Sequence, residues 1–331
     1  MASSSRTSTK TTKATKAAVQ PMQLAKPVRP GDTLAVISPA APSSDEAFAA
    51  GVAYLEQCGY TVRLMPHAQA KRYYLAGDDE GRLADFHAAF ADDSIDGILC
   101  ARGGYGCLRL LDKIDWSVVR ANPKVFVGFS DLTTLLLPMV EQAGLVGFHG
   151  PMLTSNLIEQ DAFSQQQLWN MIGGVHQYPY VLPNQSPYQC LHPGRAEGRL
   201  MGGNISLLSS LCGTPWQPNL EGALLFIEDW HEQFYTLDRQ WQQLRLSGML
   251  DGIAGLLLGD FIEISDAGLW PDYNLADFFR ELTADLKVPT GLGFSIGHGC
   301  QNVTVPIGVT ATLESTSGRL EIVSSPLQSG C

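Results

Sequence analysis

Three side chains of this sequence could together carry out nucleophilic catalysis on an acyl group. Ser130 lies in "KVFVGFSDL", Glu228 in "ALLFIEDW" and His298 in "FSIGHG", and each follows a run of apolar residues. A serine hydroxyl becomes a nucleophile when a histidine takes its proton and an acid holds that histidine. The chain order serine, acid, histidine is one of the orders known for hydrolytic triads. The three residues therefore predict a serine hydrolase in which the acid is a glutamate.

The stretch around Ser130 is typical of the sharp strand-to-helix turn on which hydrolases expose their nucleophile. Gly128 precedes the serine by two positions, where the missing side chain permits the close approach that such a turn needs. Leu132 departs from the pattern, because these hydrolases usually have a second glycine there. By itself Gly-x-Ser is a weak signal, and a helix cap formed by Ser130 or Asp131 is its commoner meaning.

Two histidines compete for the role of the base. His298 lies between Gly297 and Gly299, which indicates a turn at a domain surface, whereas His149 in "GFHGP" also ends a strand. A lone histidine in apolar surroundings is more often a structural residue than a catalyst. The flanking glycines favour His298, and His149 stays open as the alternative.

The stretch "ILCARGGYG" ends a strand in a glycine-rich loop. Such a loop can bind phosphate, can be only a tight turn, or can point backbone N–H groups at an oxyanion. It lacks the GxGxxG spacing, and GxxxxGK[ST] occurs nowhere in the chain, which disfavours a nucleotide-dependent enzyme. Arg102 directly precedes the loop. It could hold a substrate carboxylate with two parallel hydrogen bonds, or it could pair with an acid of its own fold.

These residues must be positioned by strands and helices. Apolar runs alternate with amphipathic stretches along the chain, which predicts βαβ units and a mostly parallel sheet covered on both faces. In such sheets function collects at the carboxyl ends of the strands. Four prolines in "HQYPYVLPNQSPYQCLHPG" interrupt the alternation and predict a linker. We therefore divide the chain into a disordered tail at 1–29, a nucleophile domain at 30–155, a linker at 156–192 and a mixed α/β domain at 193–331 that supplies acid and base.

The composition indicates which binding partners are disfavoured and in which cellular compartment the protein is expected. The chain has 331 residues and a formal charge of −11, and residues 1–29 hold six of its 22 Lys and Arg residues and no acid, so the remainder is strongly acidic. This disfavours nucleic acid and anionic membranes as partners. The seven cysteines include no CxxC pair, which disfavours zinc and redox sites and fits reduced thiols in the cytoplasm.

Targeting signals are also weak in this sequence. No apolar run approaches the roughly 18 residues of a membrane span. The Ser/Thr/Lys-rich start lacks the apolar stretch of a secretory signal, although a transit peptide has a similar composition. We expect a cytoplasmic protein that needs neither a metal nor an organic cofactor.

Several longer motifs, taken together, resemble the LD-carboxypeptidases. In chain order they are "YLAGDDEGRLADFHAAF", "ARGGYG", "KVFVGFSDLT", "FHGPM", "GGNISLLSSLCGTPW", "LLFIED" and "GFSIGHG", and the resemblance covers about residues 30–325. It implies a serine peptidase of the bacterial cytoplasm, often a homodimer, that removes the terminal D-alanine from murein tetrapeptides during cell-wall recycling. It also implies an α/β fold, with a flavodoxin-like parallel-sheet N-terminal domain and a smaller mixed α/β C-terminal domain.

Carried over by motif, the resemblance implies the roles of the triad. The nucleophile falls on Ser130, the acid on Glu228 and the base on His298. His298 would take the Ser130 proton while Glu228 holds the imidazole. The backbone N–H groups of Asp131, at the helix start, and of Gly104 are the expected oxyanion hole.

The glycine loop is the expected substrate-binding element, through Arg102, Gly103 and Tyr105. The related microcin-immunity peptidases share the triad and the sharp turn that carries the serine (the nucleophile elbow), but they cleave acyl-sulfamoyl adenylates. The "RGGYG" loop of this chain is more similar to that of the murein enzymes. A non-catalytic small-peptide binding protein would use the same interdomain cleft, and this hypothesis also stays open.

Overall fold

The computed structural model describes residues 22–155, 157–158 and 161–329, which fold around two β-sheets. The strands of the described residues are β1 (Thr33–Ile37), β2 (Thr61–Leu64), β3 (Gly97–Cys100), β4 (Val125–Gly128), β5 (Gly147–His149), β6 (Tyr180–Leu182), β7 (Gln189–His192), β8 (Arg195–Asn204), β9 (Leu224–Trp230), β10 (Gly255–Ile262), β11 (Thr290–Leu292), β12 (Val305–Ile307), β13 (Thr310–Glu314) and β14 (Arg319–Ile322).

The helices pack against these sheets, with short 3₁₀ turns between several elements. They are α1 (Asp45–Gln57), α2 (Asp79–Ala91), α3 (Trp116–Ala121), α4 (Thr133–Pro138), α5 (Ala162–Ile172), α6 (Ile205–Ser210), α7 (Phe234–Leu246) and α8 (Leu275–Leu282). No helix in the described ranges is long and apolar enough to cross a membrane.

The first sheet has the strand order β12-β5-β4-β3-β1-β2, and its strands β1 to β5 are parallel to one another. The order 2-1-3-4-5 is that of flavodoxin-like folds, so the predicted N-terminal fold is confirmed. Every residue of β3 and β4 is buried, as expected for strands covered on both faces. The carboxyl ends of β3 and β4 lie side by side, which brings the glycine loop next to Ser130.

The second sheet is mixed and has the order β6-β14-β13-β8-β9-β10-β11-β7. At its centre β8, β9 and β10 run parallel, and Asn204 at the end of β8 lies opposite Glu228 of β9. The side chain of Asn204 also caps α6 by accepting a hydrogen bond from the N–H of Leu207 (3.2 Å). Glu228 is thereby held at the carboxyl end of a buried central strand.

The predicted linker at 156–192 is not a plain connection. It contains α5 and the two edge strands β6 and β7 of the second sheet. Trp169 of α5 packs on the ring of Tyr60 at 4.9 Å between centroids, and its Nε1 donates to the hydroxyl of Tyr54 (3.1 Å). The prolines that suggested a linker lie between and beside these edge strands, where proline is tolerated.

Part of the predicted disordered tail at 1–29 belongs to the packed body. Residues 1–21 lie outside the described residues, but Ala25 and Val28 are fully buried. The N–H of Val28 donates to the carbonyl of Ile172 at the end of α5 (2.9 Å), and Ala25 pairs with Leu327 near the C-terminus. Residues 22–29 are therefore part of the packed body, because distant segments supply their backbone partners.

The predicted boundary at residue 193 does not separate the two sheets either. Strand β12, which lies far beyond it, joins the first sheet by pairing antiparallel with β5, so that Val305 faces His149. The chain thus returns to the first sheet after forming most of the second. This crossing ties the two sheets together next to the Glu228 and His298 segments.

Candidate active site

Ser130 lies on a strained turn directly after β4. Its φ of 61° lies in the left-handed region, which costs a non-glycine residue energy and is found preferentially at functional sites. Leu132, the departure from the usual pattern, packs over the turn, since a Cβ on Gly128 would lie 2.7 Å from its Cγ. The local geometry is that of a nucleophile elbow with the leucine filling the space above the glycine.

The structure does not support the helix-cap interpretation of this turn. The 3₁₀ turn Ser130–Leu132 has no side-chain cap. Asp131 is fully buried, and its Oδ2 accepts a hydrogen bond from the backbone N–H of Cys107 (2.8 Å) in the glycine loop. Burial raises the pKa of Asp131. The carboxyl of Asp131 therefore fastens the glycine loop to the elbow.

A cavity of about 680 Å³ opens above Ser130, between the two sheets. Ser130, Arg102, Gly103 and Gly104 line it from the first domain. The second domain contributes side chains that include His298, Asn204, Ser206, Asp229 and Glu232. The structure thus brings the predicted nucleophile, the predicted base and most of the predicted loop residues to one concave site, the usual setting of a substrate pocket.

His298 and Glu228 form a close pair at this cavity. His298 Nδ1 lies 2.6 Å from Glu228 Oε2, and the Glu228 side chain is fully buried while that of His298 is 15% exposed. Burial lowers the pKa of His298, but the nearby carboxylates, above all Glu228, outweigh it and raise the pKa overall. A buried carboxylate on one nitrogen leaves the other nitrogen available as a base.

Two aromatic rings fix the plane of the imidazole. The ring of Trp230 stacks on His298 at 5.9 Å and 13°, and the ring of Phe129 contacts it at 4.8 Å between centroids. Within the described chain no hydrogen bond joins Ser130 Oγ to His298, although both line the cavity. Such bonds commonly tighten only when substrate is bound.

Gly103 brings the glycine loop into close contact with Ser130. A Cβ at this position would lie 2.9 Å from Ser130 Cβ and 3.0 Å from Ser130 Oγ, which is too close for any side chain. Gly104 follows with a φ of 98° and also lines the cavity. The assignment of an oxyanion hole to the N–H groups of Gly104 and Asp131 stays a prediction.

Of the predicted substrate-binding residues, Arg102 lines the cavity and Tyr105 does not. Arg102 is exposed at the cavity, and its Nη1 donates to the carbonyl of Pro42 (3.0 Å). None of the ion pairs among the described residues includes Arg102. The structure therefore does not support the alternative that Arg102 pairs with an acid of its own fold. Tyr105 lies outside the cavity lining, 44% exposed, with its ring 5.9 Å from that of Tyr74.

His149, the alternative base, is fully buried and does not line the cavity. Burial lowers its pKa to about 4. Its ring contacts those of Phe129 and Phe226 at 5.7 and 5.2 Å. A side chain enclosed in this way cannot reach a substrate, and we assign no proton transfer to it.

Sequence reasoning missed most of the second-domain wall. Asn204 Nδ2 and Ser206 Oγ donate to the two carboxylate oxygens of Asp229 (2.8 and 2.6 Å), and Glu232 lies beside them. Burial, with the neighbouring Glu228, raises the pKa of Asp229 to about 6. The available signal was the polar "GGNIS" motif after a strand, together with the second acid of "IED".

No group of three or more His, Cys, Asp or Glu side chains in the described part of the chain is arranged to hold a metal ion.

Two family models match the chain in succession. Residues 34–150 match the LD-carboxypeptidase N-terminal domain, and residues 197–313 match the LD-carboxypeptidase C-terminal domain. A probable murein peptide carboxypeptidase of Bacillus subtilis is 36% identical over 92% of this chain and 95% of its own length. The murein tetrapeptide carboxypeptidase of Pseudomonas aeruginosa is 33% identical over 85% of this chain and 92% of its own.

A third relative comes from the microcin-immunity branch. The microcin C7 self-immunity protein MccF of Escherichia coli is 27% identical over 92% of this chain and 96% of its own length. A solved structure of MccF in complex with glutamyl sulfamoyl guanosine superposes with a TM-score of 0.85, at 23% identity, over 92% of this chain and 99% of that one. At that identity the superposition establishes a shared fold.

Proposed function

The chain belongs to the LD-carboxypeptidase family, and we propose that it is a serine carboxypeptidase that releases the terminal D-alanine from murein tetrapeptides. One observation carries the proposal: a strained serine and a histidine line the same cavity, and that histidine is paired with a buried glutamate. The two murein relatives, at 36% and 33% identity, support this substrate over that of MccF, at 27%.

In the proposed reaction His298 takes the Ser130 proton as Oγ attacks the carbonyl that precedes the last residue. Glu228 stabilises the imidazolium that forms. The tetrahedral intermediate collapses when His298 gives the proton to the leaving amine, so D-alanine departs and an ester on Ser130 remains. Water, activated by the same histidine, then hydrolyses the ester and restores the enzyme. No step calls for a metal or an organic cofactor.

A carboxypeptidase must also hold the free terminal carboxylate. The chain has a formal charge of −11, so a local cation is needed to hold that carboxylate. We propose that Arg102 provides it, because the guanidinium lines the cavity without an acidic partner among the described residues and can bind a carboxylate with two hydrogen bonds.

The carboxylate proposal is tested with Arg102→Lys, which keeps the charge and loses the planar fork. We expect kcat/KM for the tetrapeptide to fall, and we expect a C-terminally amidated tetrapeptide to be a poor substrate of the wild type. Equal cleavage of the amide and the free acid would show that the terminal carboxylate is not recognised.

A second candidate function is hydrolysis of acyl-sulfamoyl nucleotides, favoured by the likeness to MccF in sequence and fold. The deciding experiment incubates the purified full chain with murein tetrapeptide or with glutamyl sulfamoyl adenosine and measures free D-alanine or free glutamate. We expect D-alanine, and we expect Ser130→Ala to lower its release by roughly 10⁴- to 10⁶-fold with the fold intact.

Release of glutamate alone would identify the microcin-type activity. Binding of the tetrapeptide without cleavage, equally tight in Ser130→Ala, would identify a binding protein. We further expect the active protein to be a cytoplasmic homodimer, which gel filtration and cell fractionation would test.

A further inference from the structure

Behind the Glu228–His298 pair lies a group of buried side chains that the proposed reaction leaves unused. We call His149, Glu228, Asn302 and Thr304 the buried polar cluster; all four are 0% exposed. Each has a buried nitrogen or oxygen without a hydrogen-bond partner among the described residues: both ring nitrogens of His149, Oε1 of Glu228, Nδ2 of Asn302 and Oγ1 of Thr304. Buried polar atoms are nearly always hydrogen-bonded, so this concentration requires an explanation.

The strand geometry places His149 beside the Glu228 carboxylate. Phe226 and Glu228 are two positions apart on β9, so their side chains project from the same face of the sheet. The His149 ring packs edge-on against Phe226, with 5.2 Å between centroids and 84° between planes. The Glu228 charge acts on the His149 imidazole and raises its pKa, against the larger effect of burial.

Asn302 approaches the same carboxylate from the His298 loop. The backbone N–H of Gly297 donates to Asn302 Oδ1 (3.2 Å). A Cβ on Gly297 would lie only 2.6 Å from Glu228 Oε2, so this segment is in contact with the acid. The unpartnered amide nitrogen of Asn302 is therefore a donor on a side chain bonded to the segment that contacts Glu228.

Thr304 reaches the cluster from the strand that joins the two sheets. It directly precedes β12, whose Val305 lies opposite His149 in the register with β5. A Cβ on Gly150, the residue after His149, would lie 2.7 Å from Thr304 Oγ1. The hydroxyl of Thr304 is thus next to the backbone that carries His149.

We propose that His149 is a positioning residue for the catalytic acid. As a neutral imidazole it donates a hydrogen bond to a buried water that Asn302 and Thr304 also hold. This water in turn donates a hydrogen bond to the Glu228 oxygen that does not contact His298. A buried water typically makes about two to four hydrogen bonds to otherwise unsatisfied groups, and the cluster supplies four such partners. The inference rests on the proposed function, because it assigns a role relative to the proposed acid.

The charge state of His149 agrees with this role. Burial lowers its pKa to about 4, so it is neutral at the pH of an assay and has one donor and one acceptor nitrogen. The other titratable groups that act on the Glu228–His298 pair are Asp229 of β9 and Asp260 of β10, whose pKa values burial raises to about 6 and about 7. All variants below retain these two acids.

A donor to Glu228 Oε1 draws negative charge away from the oxygen that faces His298. Without it, that oxygen becomes the stronger acceptor and holds the protonated imidazole more tightly. The pKa of His298 then rises, so the base stays protonated to a higher pH. Loss of the donor should therefore slow turnover and move the acid limb of the pH profile of kcat/KM upward.

The test uses His149→Leu, His149→Asn and His149→Gln in the full chain, assayed by D-alanine release from murein tetrapeptide. We expect the leucine variant to lose roughly 10- to 100-fold in kcat, as is typical when a group that orients a functional side chain is removed. KM should not change, because His149 does not line the cavity. One of the two amide variants, which restore an N–H donor, should recover most of the rate and the wild-type acid limb.

His176→Leu is the matched control, because His176 also has an unpartnered buried Nε2 but stacks on Tyr180 outside the cluster. It should leave kcat and the pH profile unchanged. A His149→Leu variant with wild-type kcat and acid limb would overturn the proposal, because the side chain would then only fill space.

NMR of the wild type covers the case in which the leucine variant does not fold. We expect the His149 ring N–H to be slow in exchange with solvent, the ring to remain neutral between about pH 5 and 8, and the ¹⁵N signals to shift in Glu228→Gln. A ring that gains a proton in that interval, or signals indifferent to Glu228→Gln, would overturn the proposal. Failure of the proposed function shows separately, as a wild type that releases no D-alanine.

Discussion

The two sheets position their halves of the site by different physical means. The nucleophile side is held by the backbone: Ser130 has a φ of 61°, and Gly103 lies against it where no Cβ fits. The acid–base side is held by side chains: Glu228 is buried against His298 at 2.6 Å, with Trp230 stacked on the imidazole.

This difference indicates which changes each half can tolerate. A strained turn is sensitive to added volume, whereas a buried carboxylate–histidine pair is sensitive to loss of charge even when shape is kept. Steric substitutions should therefore damage the nucleophile side, and isosteric charge removal should damage the acid–base side.

Among substitutions that keep the Ser130 hydroxyl, the largest expected effect is on the acid–base side. Glu228→Gln keeps the shape of the side chain but removes the charge that stabilises the imidazolium, and the amide can fix the wrong tautomer of His298. We expect kcat for the tetrapeptide to fall by about 10⁴-fold, the size seen for the equivalent change in other triads. A fall of less than tenfold, with thermal unfolding unchanged, would remove Glu228 from the mechanism.

The negative charge of Glu228 should also affect how activity depends on pH. His298 must be neutral to act as base, and the nearby carboxylates raise its pKa above the ordinary value of about 6.5. Activity should therefore be lost as the pH falls through a midpoint above that value, and the residual activity of Glu228→Gln should have its midpoint at lower pH. A midpoint that does not move in Glu228→Gln would contradict the pairing.

The presence of Ser130 and His298 at the cavity, with Glu228 beside His298, was predictable because the signals are local. Ser130 and His298 follow apolar runs and have glycines nearby, and Glu228 ends a strand, all of which can be read within nine residues of chain. Their assembly into one reacting set stays a prediction until it is tested.

Other features depend on contacts that no local pattern contains. The burial of Val28 requires the end of α5, and β12 joins the first sheet only because β5 has a free edge. The wall formed by Asn204 and Glu232 exists only once both domains enclose the cavity. Tyr105, whose place in the motif predicts a substrate contact, lies outside the cavity lining, and that contact stays a prediction.

On the nucleophile side, Gly103→Ala should act through volume alone. The added methyl would lie 3.0 Å from Ser130 Oγ, so either the loop or the serine must move. A displacement of about 1 Å at a reacting atom can cost about 10²-fold, and we expect a loss of kcat of that order with little change in thermal stability. An unchanged kcat would show that the loop yields freely and that the elbow is not constrained by it.

The smallest expected effect concerns the strain itself. Ser130→Gly and Ser130→Ala both remove the hydroxyl, but only glycine adopts a φ of 61° without strain. We expect the glycine variant to have a free energy of unfolding about 1 kcal/mol larger than the alanine variant, measured by urea denaturation. An alanine variant more stable by about 0.4–1 kcal/mol, the usual effect of replacing glycine where no strain is involved, would mean that the turn stores no strain.

The central claim is that Ser130 forms a covalent acyl-enzyme with the peptide. Its most direct test mixes the full chain with excess murein tetrapeptide, quenches the reaction with acid within the first turnovers, and maps the digested protein by mass spectrometry. The account predicts an ester on the peptide that contains Ser130, with the mass of the substrate less D-alanine and with a burst of D-alanine equal to the enzyme present. Steady release of D-alanine without a burst or an adduct, and undiminished in Ser130→Ala, would contradict it.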